Sequence, residues 1–128
     1  MDKNEIPFLS VSQLSQVIKD RSGAPVEVVE TYLDRIDSLN DRLYAYLTVC
    51  RDEALQAARE SESALARGEY LGPLHGVPVA VKDQLNTKGI RTTSGTPIFN
   101  DFVPEEDATV VAKLKSAGAI LLGKLNMT

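Results

Sequence analysis

One cysteine, Cys50, and one histidine, His75, are all that 128 residues hold of either type. A single cysteine excludes an intrachain disulfide and a cysteine-based metal framework. Cys50 with His75 could in principle form a nucleophile pair, but no local signature accompanies either residue, and the plainer reading of Cys50 is a reduced, buried structural thiol. Runs of basic residues are also missing, and the formal charge of −4 gives no support for binding nucleic acid or an anionic membrane through a global basic field. No apolar stretch approaches the roughly 18 residues that suggest a membrane span. The opening Met1-Asp2-Lys3-Asn4-Glu5 lacks the basic and apolar regions of a signal peptide, so the default location is cytoplasmic. Internal repeats, low-complexity tracts and linkers are absent as well. What remains is ordinary globular composition, 43% hydrophobic and 25% charged, enough for one domain with a core.

Residues 1 to 9 read as a loosely held arm. Ser10 or Ser12 can cap a helix carrying Val11, Leu14, Val17 and Ile18, ended by Ser22-Gly23. Pro25 suits the first turn of a second helix, with Val29, Tyr32, Leu33, Ile36 and Leu39 at helical spacing through Asn40. Tyr44 to Val49 reads as a short strand or extended segment. Arg51 to Arg67 places Ala54, Leu55, Ala58 and Leu65 on one helical face, with Gly68 as carboxyl cap. The charged residues of these helices fall mostly off the apolar stripes, and pairs such as Glu30 with Asp34 repel weakly, which describes a solvated face and not an acid/base site.

The informative stretch is Gly72-Pro-Leu-His-Gly-Val-Pro-Val-Ala-Val-Lys82-Asp83, in which β-formers run directly into a lysine. Val77, Val79 and Val81 predict a buried strand bounded by turn signals, with Lys82 at or just past its carboxyl end, where open α/β sheets place their ligands. Burial disfavours the ammonium form and lowers a lysine pKa from about 10.4 by up to several units, which would make such a residue a base at neutral pH. Strand alternation sends Lys82 and Asp83 to opposite faces, so the two need not meet. A structural lysine paired with a carboxylate is the bland alternative. Gln84 to Phe102 is irregular and rich in turn formers; Thr92 to Thr96 could offer hydroxyl and backbone donors to a substrate or satisfy its own backbone. Asp107 then caps a helix bearing Val110, Val111, Leu114 and Ala117, Gly118 ends it, and Ala119–Leu122 is a second buried strand. Strand, helix, strand predicts that Val77–Val81 and Ala119–Leu122 lie parallel in one sheet.

These residues resemble the amidase signature family, whose members carry Gly-(Val/Ile)-Pro, three mostly apolar residues, then Lys-Asp. Thr92-Thr93-Ser94-Gly95, Asp107-Ala108-Thr109-Val110-Val111 and Gly123-Lys124-Leu125-Asn126-Met127 follow in the family's order and at about its spacing, so that the resemblance spans roughly residues 25 to 128. It implies an α/β fold in which amino-terminal helices lead into the start of a mixed or parallel sheet flanked by helices. It also implies amide hydrolysis by a serine, cis-serine, lysine triad, with Lys82 as the triad lysine and Thr93, Ser94, Gly95 and Asn126 as candidate substrate contacts. Neither metal nor cofactor is implied. The expected substrate is a small-molecule amide, and the chain could form a homodimer. A second expectation within the same fold is the A subunit of a glutaminyl- or asparaginyl-tRNA amidotransferase, which would bring partner subunits; a third is a noncatalytic fragment or scaffold.

The serine- and glycine-rich segment that would hold both triad serines is expected beyond Thr128. The chain therefore reads as the amino-terminal portion of one amidase domain, 1–70 mainly helical and 71–128 α/β, inactive alone by that mechanism. One motif misleads: Gly118-Ala-Ile-Leu-Leu-Gly123-Lys124 fits most of a phosphate-loop pattern. It fails because the intervening residues form an apolar strand, residue 125 is Leu where Ser or Thr should reach a metal, and the helix precedes the motif. On the family reading, Gly123 to Met127 instead lies at a strand's carboxyl end near the site.

Overall fold

The computed structural model describes residues 2–127. Among these residues four α-helices, α1 (Val11–Lys19), α2 (Pro25–Leu43), α3 (Arg51–Ala66) and α4 (Thr109–Ser116), surround three strands, β1 (Tyr46–Val49), β2 (Pro78–Lys82) and β3 (Ile120–Leu125). The sheet order is β1-β3-β2, with β2 parallel and β1 antiparallel to β3. The expected parallel pairing holds, and β1 makes the sheet mixed. Among the described residues no helix is long and apolar enough to cross a membrane.

Local chemistry explains most element ends. Ser10 caps α1 in a reciprocal box: its hydroxyl accepts from the Gln13 amide, and the Gln13 side chain accepts from the Ser10 amide. That helix stops before Ser22-Gly23, because Arg21 takes the left-handed turn instead. Past α3, Gly68 adopts a φ of 78° while the Glu69 amide reaches back to Ala64, a glycine-terminated helix end as expected. Asp107 does not cap α4. Its carboxylate accepts from the Lys88 amide and from Lys115 Nζ, so it pins the preceding loop to the helix, and Ala108 occupies the cap position without a side-chain bond. The amino-terminal arm is also better held than expected: Ile6 is fully buried against Leu14, Ile18, Val28 and Val77.

β3 is the axis of the packing. Ile120 and Leu122 face Val29, Leu33 and Ile36 of α2 and Ala54 and Ala58 of α3, whereas Leu121 faces Val81 and Val111 on the other side. Helices therefore cover both faces of the strand, which accounts for its continuous apolar run. The alternation then breaks. Val79 pairs with Leu121 but Ala80 pairs with Gly123, so Leu122 and Gly123 together oppose one step of β2. This bulge advances the strand by one residue and turns Lys124 onto the face of Leu121 and Val81, beside which it lies in register. Strict alternation would have sent it to the face of Ile120 and Leu122. Gly123 is required by close approach: a Cβ there would lie 2.2 Å from the Thr48 carbonyl oxygen.

Candidate active site

Lys82 closes β2, and the strand's ladder continues one residue further through the Asp83 amide, which donates to the Leu125 carbonyl at 3.0 Å. Alternation separates the two side chains as expected. Val81 and Asp83 point into the protein and are buried, whereas Lys82 is exposed. The buried lysine expected at this position is thus not found among the described residues. β2 is an edge strand, and Lys82 sits at its end on the face opposite Asp83, where no described residue covers it.

The buried lysine of this chain is Lys124. Its side chain has no solvent exposure, and its ammonium donates to the Leu85 carbonyl at 2.9 Å, Thr87 Oγ1 at 3.0 Å and Thr92 Oγ1 at 2.7 Å. Asp83 Oδ1 stands 3.4 Å from the same nitrogen. An ammonium has three protons, and all three are taken by neutral acceptors. This leaves Asp83 Oδ1 buried without a hydrogen bond of its own, held by charge. Burial pushes the Lys124 pKa below the ordinary lysine value, and the Asp83 carboxylate opposes that shift.

The other oxygen of Asp83 organises the following loop. Oδ2 accepts from the Thr93 amide at 3.0 Å and from the Thr93 hydroxyl, and the Asp83 carbonyl accepts from the Ser94 amide at 3.0 Å. The Thr93 hydroxyl in turn accepts from the Gly95 amide at 3.1 Å. Ser94 is exposed with φ at 52°, a left-handed conformation that costs a non-glycine residue on the order of 1 kcal/mol and persists here because amides on both sides are anchored. Gly95 packs against Met127, just past the end of β3. The Thr93-Ser94-Gly95 turn therefore lies at the carboxyl ends of the two parallel strands, tied to the residue next to Lys82.

Asn126 follows directly on β3 at this same end, with its side chain turned toward the segment after α2: its Nδ2 donates to the Tyr44 carbonyl, its amide to the Ala45 carbonyl, and its Oδ1 accepts from the Met127 amide. Cys50 and His75 both line an open groove of about 610 Å³ on another part of the molecule, but neither is a free nucleophile or base. Desolvation pushes the buried Cys50 thiol up to about 11. His75 accepts from the Leu71 amide through Nδ1, so the ring proton is on Nε2, which donates to the Ser61 carbonyl at 3.0 Å. The phosphate-loop reading of Gly118 to Lys124 fails in the structure too, since Gly123 and Lys124 lie inside β3.

The amidase family model matches residues 27–128. The chain belongs to the amidase family. Within it, the chain is 46% identical over 123 residues to the A subunit of the glutamyl-tRNA(Gln) amidotransferase of Carboxydothermus hydrogenoformans, covering 96% of this chain and 25% of that protein. It is 44% identical over 128 residues to the putative amidase AmiD of Mycobacterium tuberculosis, covering 100% of this chain and 27% of the relative. Its fold superposes on the peptide amidase of Stenotrophomonas maltophilia with a TM-score of 0.89 at 32% identity, over 95% of this chain and 26% of that one. The chain thus spans about a quarter of the length of the amidase-family proteins it matches.

Proposed function

We propose that this chain is the amino-terminal portion of a single amidase domain, whose complete form hydrolyses the carbon–nitrogen bond of a small carboxamide in the cytoplasm. The observation that carries the reading is Lys82 at the carboxyl end of β2, within Gly76-Val77-Pro78 and Lys82-Asp83, in a chain whose family match includes all of these residues. In this mechanism the Lys82 amine, unprotonated, takes a proton through a bridging cis-serine from the nucleophilic serine. The serine oxygen attacks the amide carbonyl, the C–N bond breaks as the departing nitrogen gains a proton, and water then cleaves the acyl-enzyme. Both serines belong to the segment expected after Thr128. Lys82 must lose its contact with solvent for this role, and the exposed end of β2 is the surface that such a segment would cover.

The test compares wild-type, Lys82→Ala and Lys82→Arg forms of the full-length protein on a simple amide. Both variants should lose nearly all turnover, because guanidinium remains protonated and cannot accept a proton. Near-normal turnover in Lys82→Arg would make Lys82 a structural cation and send the search for a base elsewhere. A second reading, the A subunit of a tRNA amidotransferase, is favoured by the relatives that carry that name. Glutamine hydrolysis that depends on co-expressed partner subunits, with little activity on simple amides, would select it.

A further inference from the structure

Lys124 and Asp83 do no chemistry in the mechanism above, yet they form the one buried ion pair among the described residues, at 0% and 1% side-chain exposure. Their partners are unevenly distributed. Lys124 holds Leu85, Thr87 and Thr92, the two ends of the loop that leaves β2. Asp83 holds Thr93 and Ser94 through a carboxylate oxygen and its carbonyl, while Thr93 holds Gly95. We propose that the Lys124–Asp83 pair is a positioning device for the amide site, fixing the Thr93-Ser94-Gly95 turn against the end of β2 beside Lys82. The proposal rests on the amidase reading for its catalytic consequence, but not for the structural one.

The chemistry explains why a charged pair serves here. A carboxylate accepts from the Thr93 amide and hydroxyl together at one oxygen, more strongly than a neutral group would. That carboxylate is stable in a dry site only with a cation beside it. Lys124 supplies the charge without taking up Oδ2, because its three protons are spent on Leu85, Thr87 and Thr92. The Leu122-Gly123 bulge brings the lysine to this face in the first place.

The experiment uses the full-length protein in four forms: wild type, Lys124→Met, Asp83→Asn, and both changes together. Each single change leaves one buried charge unpaired, and the double change leaves none. The expected result for Lys124→Met is a fall in kcat of about 100-fold, the scale of a 1 Å misplacement, with KM changed less than about threefold. Amide exchange at residues 93–96 should quicken by about tenfold or more, and the double variant should recover about tenfold of the lost kcat. Val29→Ala, in the core between α2 and β3, is the control for general destabilisation and should leave exchange at 93–96 in step with the rest of the sheet. Thr93→Val keeps both charges and removes only the hydroxyl; if Lys124→Met fails to fold, this variant decides, with a fall in kcat of about tenfold expected. The proposal is overturned if exchange at 93–96 is unchanged in Lys124→Met, if the double variant is no better than the product of the singles, or if Thr93→Val behaves as wild type. A wild-type protein that hydrolyses no amide would instead remove the amidase reading, and the exchange data would still judge the pair.

Discussion

Replacing Gly123 with alanine tests the join between β1 and β3. A Cβ at this position would lie 2.2 Å from the Thr48 carbonyl oxygen, 2.9 Å from Tyr46 Cδ1 and 3.2 Å from Val49 Cα. Two of these atoms are backbone, so no rotamer change can relieve the clash. Restoring an ordinary carbon–oxygen contact needs β1 to retreat by about 1 Å, which takes hydrogen bonds of normal length past useful range. The bonds at risk include Cys50 amide to Leu122 carbonyl and Asn126 amide to Ala45 carbonyl, both 2.8 Å. Losing one or two at about 1 kcal/mol each, with misfit against Tyr46, outweighs the gain of about 0.4–1 kcal/mol from a less flexible unfolded chain. The net expectation is a loss of about 2 kcal/mol, within the usual range for overpacking. For a domain of 150 to 250 residues this is about 4–8 °C in Tm, and somewhat less in a longer chain. Calorimetry of the full-length protein at one scan rate measures it, with Gly68→Ala as comparator, where an added Cβ meets nothing within 4 Å and only the left-handed φ opposes. A Gly123→Ala protein as stable as wild type would refute the close-approach argument, and with it the account of how the bulge is held.

Other consequences are simpler to measure. Desolvation holds the Cys50 thiol protonated, so native protein at pH 8 should react with iodoacetamide roughly 100-fold more slowly than urea-unfolded protein; equal rates would mean that the site opens freely. A thiol raised to about 11 from 9.0 contributes stability that is whole below pH 9 and is lost as pH rises toward 11, and Cys50→Ala should flatten that alkaline limb. Ser10→Ala should cost about 1 kcal/mol, seen as faster exchange confined to residues 11–19, because it removes one half of the capping box. The 128-residue chain alone should self-associate, since β1 and β2 are unpaired edges and Ile98 and Leu71 are 85% and 60% exposed; a monomer with a cooperative thermal transition and no binding of a hydrophobic dye would contradict this.

Much of the fold is legible in the sequence because its signals are local. Pro25 at a helix start, Gly68 and Gly118 past helix ends, and the apolar periodicity of α2 and α3 each act within a few residues and are met in the structure. The misreadings occur where a distant partner decides. Asp107 has the side chain of a helix cap, but Lys88 and Lys115 compete for its oxygens and win. Residues 1 to 9 lack any helical signal, yet Ile6 is fully buried in a pocket formed by α1, α2 and Val77, and Leu9 packs against the same cluster.

The two lysines show the limit most clearly, since both end an apolar run and only one is buried. Val79-Ala80-Val81-Lys82 and Ile120-Leu121-Leu122-Gly123-Lys124 look alike, and a rule that a strand leading into lysine buries it would apply to each. Pairing separates them. β3 has neighbours on both sides and helices over both faces, so a lysine within it has no way out to water and must find acceptors, which the Gln84 to Thr92 loop and Asp83 provide. β2 has a neighbour on one side only, and its last side chain points away from Asp83 into solvent. The signal that distinguishes them in the sequence is Gly123. A glycine inside an apolar strand marks a bulge or a close backbone approach, and here it marks both. The bulge shifts the alternation by one residue, which places Lys124 over the carboxylate that follows Lys82. Lys124 thus holds the Asp, the Asp holds the Thr93-Ser94 turn, and the lysine at the strand end stays exposed.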